Sequence, residues 1–324
     1  MAPLRLQWRA FAFALPVPLA TARGMVAQRR GWLVRLEAAA GAVGWGEVAP
    51  LEPGGGGEHG RCAIALGALG ERVRREELEA ALAGLPAALA FGLGLALAEL
   101  DGLGARGWRP APPSAWLLPA GEPALAALET ALAATGPGLT VKWKVAVAAD
   151  AVERRLLERL LERLPAGGRL RLDANGGWNR PTAAAWADRL AEEPRLEWLE
   201  QPLAATDLEG LTALAAQLPV ALDESLVANP VLRRRWPGWQ VRRPALEGDP
   251  RPLLAALAAG QPRWMVSSAF ETGVGRRLVE QAAALQAQGP TPTAPGLAPG
   301  WRPGGPLFAA DPALAWAVLA EGER

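Results

Sequence analysis

The stretch Leu139-Thr-Val-Lys-Trp-Lys-Val145, followed by Glu153–Leu164 and then Leu170-Arg-Leu-Asp173, decides the fold. The outer pieces are short apolar runs of strand character, bounded by glycine and proline. In the middle piece Leu156, Leu157, Leu160, Leu161 and Leu164 form one apolar stripe, with glutamate and arginine filling the rest. That is the 3.6-residue period of an amphipathic helix. Strand, helix and strand in so short a span imply parallel strands joined by a crossover helix. The same alternation recurs through Ser114–Leu118, Leu196–Glu200, Pro219–Asp223, Trp239–Arg243 and Arg263–Ser267, with an eighth run near Pro290–Ala294. A doubly wound sheet would carry a glycine fingerprint in its first turn, and none follows residue 118 or 145. The expected fold class is therefore α/β: a (β/α) barrel of seven or eight units, with its site at the C-terminal strand ends.

The residues before 110 read as a separate α+β module. Strand signals occupy 3–15 and 31–37, and Trp45-Gly-Glu-Val-Ala-Pro-Leu51 follows. A glycine-rich loop, Pro53–His59, is a candidate lid, and helices are expected over 61–83 and 85–100. Pro110, Pro112 and Pro113 mark the junction. The N-terminus imitates a signal peptide, with Arg5 and Arg9 ahead of Phe11–Leu15, but Leu4, Leu6 and Trp8 alternate with polar residues as in a half-buried strand. Residues 85–100 are too short and too broken by Pro86, Gly92 and Gly94 for a membrane span. A cytoplasmic location and no membrane partner are expected.

Composition narrows the chemistry. The chain has 324 residues, a single cysteine, a single histidine and a net charge of +1. Cysteine zinc sites, multi-histidine sites and most histidine-based triads are excluded, and nothing favours a polyanionic partner. Arg233, Arg234, Arg235, Arg242 and Arg243 imitate a nucleic-acid patch, yet Arg242 and Arg243 must face opposite ways on a strand. Of 34 basic residues only two are lysine, Lys142 and Lys144. Where lysine has otherwise given way to arginine, a pair that persists two residues apart points to a role arginine cannot fill, namely loss of a proton.

Spacing places these lysines on one strand face, turned into the barrel, with Trp143 turned toward the helices. Asp173, Glu200 and Asp223 end three successive strands at intervals close to one repeat, so they are expected at one level around one mouth. Converging carboxylates require a cation, and an oxygen-only donor set suits Mg2+. Paired ammonium groups beside a dication favour a neutral lysine that acts as general base. Arg171 shares the face of Asp173, either as substrate contact or as salt-bridge partner. Ser267 and Ser268, with the amides of Gly273-Val-Gly275, are candidates for binding a second substrate carboxylate. Capping of the following helix is the competing role.

These segments together resemble the enolase superfamily. Val141-Lys-Trp-Lys-Val145 resembles its Lys-x-Lys motif; Arg171-Leu-Asp-Ala-Asn175, Leu199-Glu-Gln-Pro-Leu203 and Ala221-Leu-Asp-Glu-Ser225 resemble its metal-ligand segments. Trp45-Gly-Glu-Val-Ala-Pro50 resembles its capping-domain signature; within the superfamily the short length, compact capping domain, Ser267-Ser268 and Gly296-Leu-Ala-Pro-Gly-Trp301 are most similar to the o-succinylbenzoate synthase family. The resemblance implies a capping domain over 1–110, a barrel over 111–298 and a segment, 299–324, that returns to the capping domain. It implies Mg2+ held by Asp173, Glu200 and Asp223, and a proton alpha to a carboxylate removed by Lys144, with Lys142 as its charged partner. The superfamily pairing of a lysine or histidine base with Mg2+ on an ene-diolate is a general precedent. Arg171, Asn175, Ser267 and Ser268 are the expected substrate contacts, and the expected partner is a small carboxylic acid. The implied reaction is a syn dehydration of a hydroxycyclohexadiene carboxylate in menaquinone or phylloquinone biosynthesis.

One departure bears on mechanism. The superfamily's sixth strand ends in Lys-Pro, whereas this chain has Val241-Arg-Arg-Pro244, so Arg243 takes the lysine's place. Arginine keeps its proton and cannot be an opposing base, but it can act catalytically by placing a fixed positive charge against the intermediate or over an aromatising ring. A one-base dehydration tolerates the change and a two-base racemisation does not. An N-acylamino acid racemase, a muconate-type cycloisomerase and a non-catalytic binding protein are the competing readings.

Overall fold

The computed structural model describes residues 2–21, 24–52 and 57–321. The first two strands, β1 (Leu4–Thr21) and β2 (Gly24–Glu37), pair antiparallel, and β3 (Val43–Val48) pairs with β2. Both are longer than their sequence signals: Pro16 and Pro18 do not end β1 but coincide with a register shift between Ala14 and Leu19. Proline removes a ladder donor and is accommodated at such irregularities. The expected helix over 61–83 is instead α1 (Gly57–Leu69), a short edge strand β4 (Arg72–Val73) and α2 (Arg75–Ala81). His59 thus lies in the first turn of α1, its ring stacked on Trp32 at 4.3 Å. Of the other candidate lid residues, Gly57 and Glu58 also lie in α1, and 53–56 lie outside the described residues.

Helix α3 (Ala87–Leu100) is buried on every side from Ala88 to Ala98, which its unbroken apolar sequence requires. It lies directly against β3, where Gly44 faces the Ala96 carbonyl and Gly46 that of Gly92. A Cβ at either position would collide with helix backbone, so the two glycines permit the contact.

The second sheet is parallel and runs in chain order through β5 (Trp116–Leu118), β6 (Thr140–Lys144), β7 (Arg169–Asp173), β8 (Leu196–Glu200), β9 (Val220–Leu222), β10 (Trp239–Arg242) and β11 (Trp264–Val266). Around it lie α4 (Pro123–Thr135), α5 (Asp150–Arg163), α6 (Arg180–Leu190), α7 (Leu208–Ala215), α8 (Glu224–Ala228), α9 (Leu232–Arg235), α10 (Arg251–Ala258) and α11 (Gly273–Ala287). The leucine stripe of α5 packs with Val141, Trp143, Leu170 and Leu172, so alternate strand residues face the helices. The others face inward, where Trp198, Ala221, Val241 and Met265 fill the barrel with Trp239 against them.

No eighth strand forms at 290–294. The barrel closes a few residues later: Gly296 N donates to Val266 O, Ser268 N to Gly296 O and Ala115 N to Pro295 O, at 2.9, 3.0 and 3.0 Å. Pro290, Pro292 and Pro295 leave too few amides for a regular ladder. The last helix, α12 (Pro312–Glu321), returns to the first sheet. Ala315 packs in one cluster with Phe11, Leu33 and Val274. Among the described residues no helix is long and apolar enough to cross a membrane.

Candidate active site

The C-terminal strand ends open into a cavity of about 300 Å3 lined by Lys142, Lys144, Arg171, Asp173, Asn175, Asp223, Glu224, Arg243, Ser267 and Ser268. Leu51, Leu117, Leu246, Met265 and Phe270 supply its apolar wall. Every sequence-derived site residue therefore borders this space except Glu200, which is fully buried just beneath it.

Cross-strand register sets the geometry. Lys144 pairs with Asp173 and Asp173 with Glu200. Glu200 pairs with Ala221, so Asp223 lies farther along its strand rather than at the same level. Lys142 Nζ reaches Asp173 Oδ2 at 2.8 Å and Glu200 Oε1 at 2.5 Å. Burial opposes the Lys142 ammonium, but Asp173 and Glu200 outweigh it and raise its pKa. Lys142 is thus a fixed cation in the cavity wall, anchored by two acids. Burial likewise opposes the Asp173 carboxylate, and the two lysines still hold its pKa below the usual range. At Glu200 burial prevails and the pKa is raised.

Arg243 forms a two-pronged pair with Asp223, Nη2 to Oδ2 at 2.5 Å and Nε to Oδ1 at 3.0 Å, and donates from Nη1 to Ser268 O at 2.7 Å. Arg242 on the opposite face pairs with Glu247 and stacks on Trp264 at 3.8 Å. The adjacent arginines form no common basic surface.

Arg171 is wholly buried. It donates to Glu197 at 2.6 Å and to Thr293 Oγ1 and Ala294 O at 2.7 Å each, with its guanidinium 4.2 Å from the Trp198 ring. Of its two expected roles, the ion pair is present, and it ties the irregular closing segment to β7 and β8. Ser267 donates to Gly296 O at 3.1 Å, and Ser268 donates to Glu271 at 2.7 Å. Of the amides beyond them, those of Val274 and Gly275 are already taken. Thr272 N and Gly275 N donate to Glu47, and Val274 N to Thr272 Oγ1. A protein carboxylate already occupies the start of α11, which corrects that part of the sequence reading.

Several contributors have no signal in spacing. Glu224 lines the cavity and accepts from Asn175 Nδ2 at 3.0 Å; burial and the Asp223 charge raise its pKa to about 7. Gln201 Oε1 accepts from Asp223 N and Ser225 N at 3.2 and 3.1 Å, binding the end of β8 to the end of β9. Glu153 accepts from Ala146 N, Val147 N and Ala148 N at 2.8 to 2.9 Å and shapes the turn after Lys144.

Among the described residues no three histidine, cysteine or carboxylate side chains are gathered closely enough to form a ready metal cage. Lys142 stands between Asp173 and Glu200, and Arg243 is paired with Asp223. The donor set nonetheless fits Mg2+: Asp173, Glu200 and Asp223 are at most 5 % exposed, offer only oxygen and come from adjacent strands.

Residues 125–234 match the family model described as Enolase C-terminal domain-like. An o-succinylbenzoate synthase of Thermosynechococcus vestitus is 40 % identical over 289 residues, covering 85 % of this chain and 87 % of that protein. One from Thermobifida fusca is 31 % identical, covering 82 % and 73 %. The crystal structure of the o-succinylbenzoate synthase from Thermosynechococcus elongatus BP-1, with magnesium in its active site, superposes with a TM-score of 0.82. It is 34 % identical to this chain and covers 98 % of it, with 99 % of that structure matched.

Proposed function

Because this chain belongs to the o-succinylbenzoate synthase family of the enolase superfamily, we propose that its cavity dehydrates 2-succinyl-6-hydroxy-2,4-cyclohexadiene-1-carboxylate to o-succinylbenzoate. The observation that carries this reading is the inward pair Lys142 and Lys144 beside Asp173, Glu200 and Asp223 at the mouth of one barrel. The reaction is a carbon–oxygen lyase step in quinone biosynthesis.

In the proposed mechanism Asp173, Glu200 and Asp223 hold Mg2+, which when bound supplies Lewis-acid stabilisation of negative charge on the substrate carboxylate. Lys144 Nζ takes the proton alpha to that carboxylate. The electron pair moves into the ring and expels the hydroxyl, which leaves as water with the proton that Lys144 returns. One base on one face is sufficient, because removal and return occur on the same side. Lys142 and Arg243 supply fixed positive charge around the developing dianion, preorganised before the reaction begins. Leu51, Leu117 and Phe270 exclude water from the ring face. Asn175 orients Lys144, and Ser267 and Ser268 border the space left for the succinyl end.

The division into a capping domain (1–110), a barrel (111–298) and a returning segment (299–324) belongs to the same reading. The packing of Ala315 with Phe11 and Leu33 supports it. Arg243 favours dehydration over the racemase reading, because no second ionisable amine faces Lys144 from β10.

The test is a spectrophotometric turnover assay with the hydroxycyclohexadiene substrate. Turnover that is lost with a chelator and restored by Mg2+ is expected, and K144R should lose at least about a thousandfold in kcat, within the usual range for general acid–base catalysis. Full activity in K144R would overturn the assignment.

A further inference from the structure

Arg29 on β2 is only 1 % exposed, and its hydrogen bonds go to carbonyl oxygens. Nη1 donates to Pro50 O, Nη2 to Ala49 O at 2.7 Å, and Nε makes a long contact of 3.5 Å with Phe270 O. Glu47 on β3, equally buried, crosses to the barrel. Its Oε2 accepts from Thr272 Oγ1 at 2.6 Å, Thr272 N at 2.9 Å and Gly275 N at 3.0 Å. Glu271, in the same loop, accepts from Ser268 Oγ and Ala269 N at 2.7 and 2.6 Å. The guanidinium thus joins three chain segments, in the field of Glu47, Glu271 and Glu58. Desolvating such charges is costly, so the arrangement persists only where the surrounding contacts compensate for it.

What the cluster holds is the mouth of the cavity. Pro50 precedes Leu51, which lines it from the N-terminal side; Phe270 lines it from the barrel side. Phe270 has φ of 63°, a left-handed conformation that an aromatic residue adopts only under constraint. The constraint is visible: Phe270 N donates to Ser268 Oγ at 2.8 Å, its carbonyl faces Arg29, and its ring rests on Trp301.

We propose that Arg29 and Glu47 are positioning residues that lock the first sheet onto the loop after β11. They thereby fix the gap between Leu51 and Phe270, the apolar wall that closes over the substrate ring. Neither residue touches the reacting atoms. The inference deepens the dehydratase reading and rests on it for the identity of the substrate.

The experiment has two arms. In the first, R29M and E47A are assayed alone and in an F270A background. Each single substitution should raise KM about tenfold with kcat within threefold, and each should add less than twofold to KM once Phe270 is absent. Equal KM effects in both backgrounds, or a loss confined to kcat, would overturn the proposal. In the second, amide hydrogen exchange compares wild type with R29K, which keeps the buried charge if R29M fails to fold. Amides of Ala49, Leu51, Glu52 and 268–275 should exchange at least tenfold faster in the variant while those of α5 do not change. Uniform acceleration, or none, counts against the latch. The exchange arm uses no substrate, so absence of wild-type turnover would refute the dehydratase reading alone.

Discussion

Lys144 Nζ lies 3.0 Å from Asn175 Oδ1, and the opposite end of the same amide donates to Glu224 Oε1 at 3.0 Å. The carboxylate fixes which way the amide points, and the amide presents an oxygen to the lysine. Asn175 has φ of 44°, a conformation asparagine tolerates better than most residues. N175G removes the side chain without backbone strain. Loss of the guide should lower kcat by about 10- to 100-fold with KM little changed, since small misplacements of a reacting group carry penalties of that size. E224Q should show a smaller loss, because its amide oxygen can still accept from Asn175. A KM effect without a kcat effect in N175G would place Asn175 on the substrate rather than on Lys144.

Metal binding should be measurable without turnover. A cation bound only by the folded protein stabilises it by about 2.7 kcal/mol at a hundredfold excess over Kd. Thermal unfolding with increasing Mg2+ should show a rising, saturating Tm in wild type, abolished in D173N, E200Q and D223N. A Tm that ignores Mg2+ in wild type would remove the metal from these acids.

The sequence exposes the parts of this site that obey strand parity. Lys142 and Lys144 face inward and Trp143 outward because alternation on β6 leaves no other choice, and Arg242 and Arg243 separate for the same reason. Asp173 and Glu200 are level, as their spacing suggests; Asp223 is displaced because register, unlike parity, depends on loop lengths and tilt. The closing segment at 295–297 is illegible because its bonds are isolated bridges, without period. Arg29 and Glu47 are hidden for another reason. Their partners lie in the loop near residues 270–275, and nothing local in an Arg-Arg dipeptide or in Trp-Gly-Glu distinguishes a buried charge from an exposed one.

Arg243 makes a prediction about what the enzyme does not do. Each of its three nitrogens donates to Asp223 or to Ser268 O, and it has no basic form at accessible pH. In deuterated water, wild type should not racemise an N-acylamino acid, although exchange of the alpha proton of one enantiomer by Lys144 is expected. R243K places an ionisable amine on the opposing side and should permit exchange into both enantiomers. Racemisation by the wild type would mean that a base other than Arg243 serves the second face.

The contact between the two sheets should respond to pH. Burial lifts the Glu47 carboxyl to about 7, with hydrogen bonds from Thr272 and the charge of Arg29 opposing that rise and the charge of Glu271 adding to it. Burial lifts Glu99 to about 7 as well, against the pull of Arg277 and a hydrogen bond from Trp45 N. A carboxyl whose folded pKa exceeds its unfolded value binds more protons folded than unfolded, so stability is greatest below the unfolded value and is lost as pH rises toward 7. Between 4.5 and about 7, at about 1.4 kcal/mol per pKa unit, each such group accounts for at most about 3.5 kcal/mol. Denaturant unfolding at pH 5 and pH 8 should therefore show lower stability at the higher pH, and E47Q, which keeps an acceptor oxygen but cannot ionise, should flatten part of that slope. If E47Q leaves the slope unchanged, Glu47 stays ionised throughout and its three donors outweigh its burial.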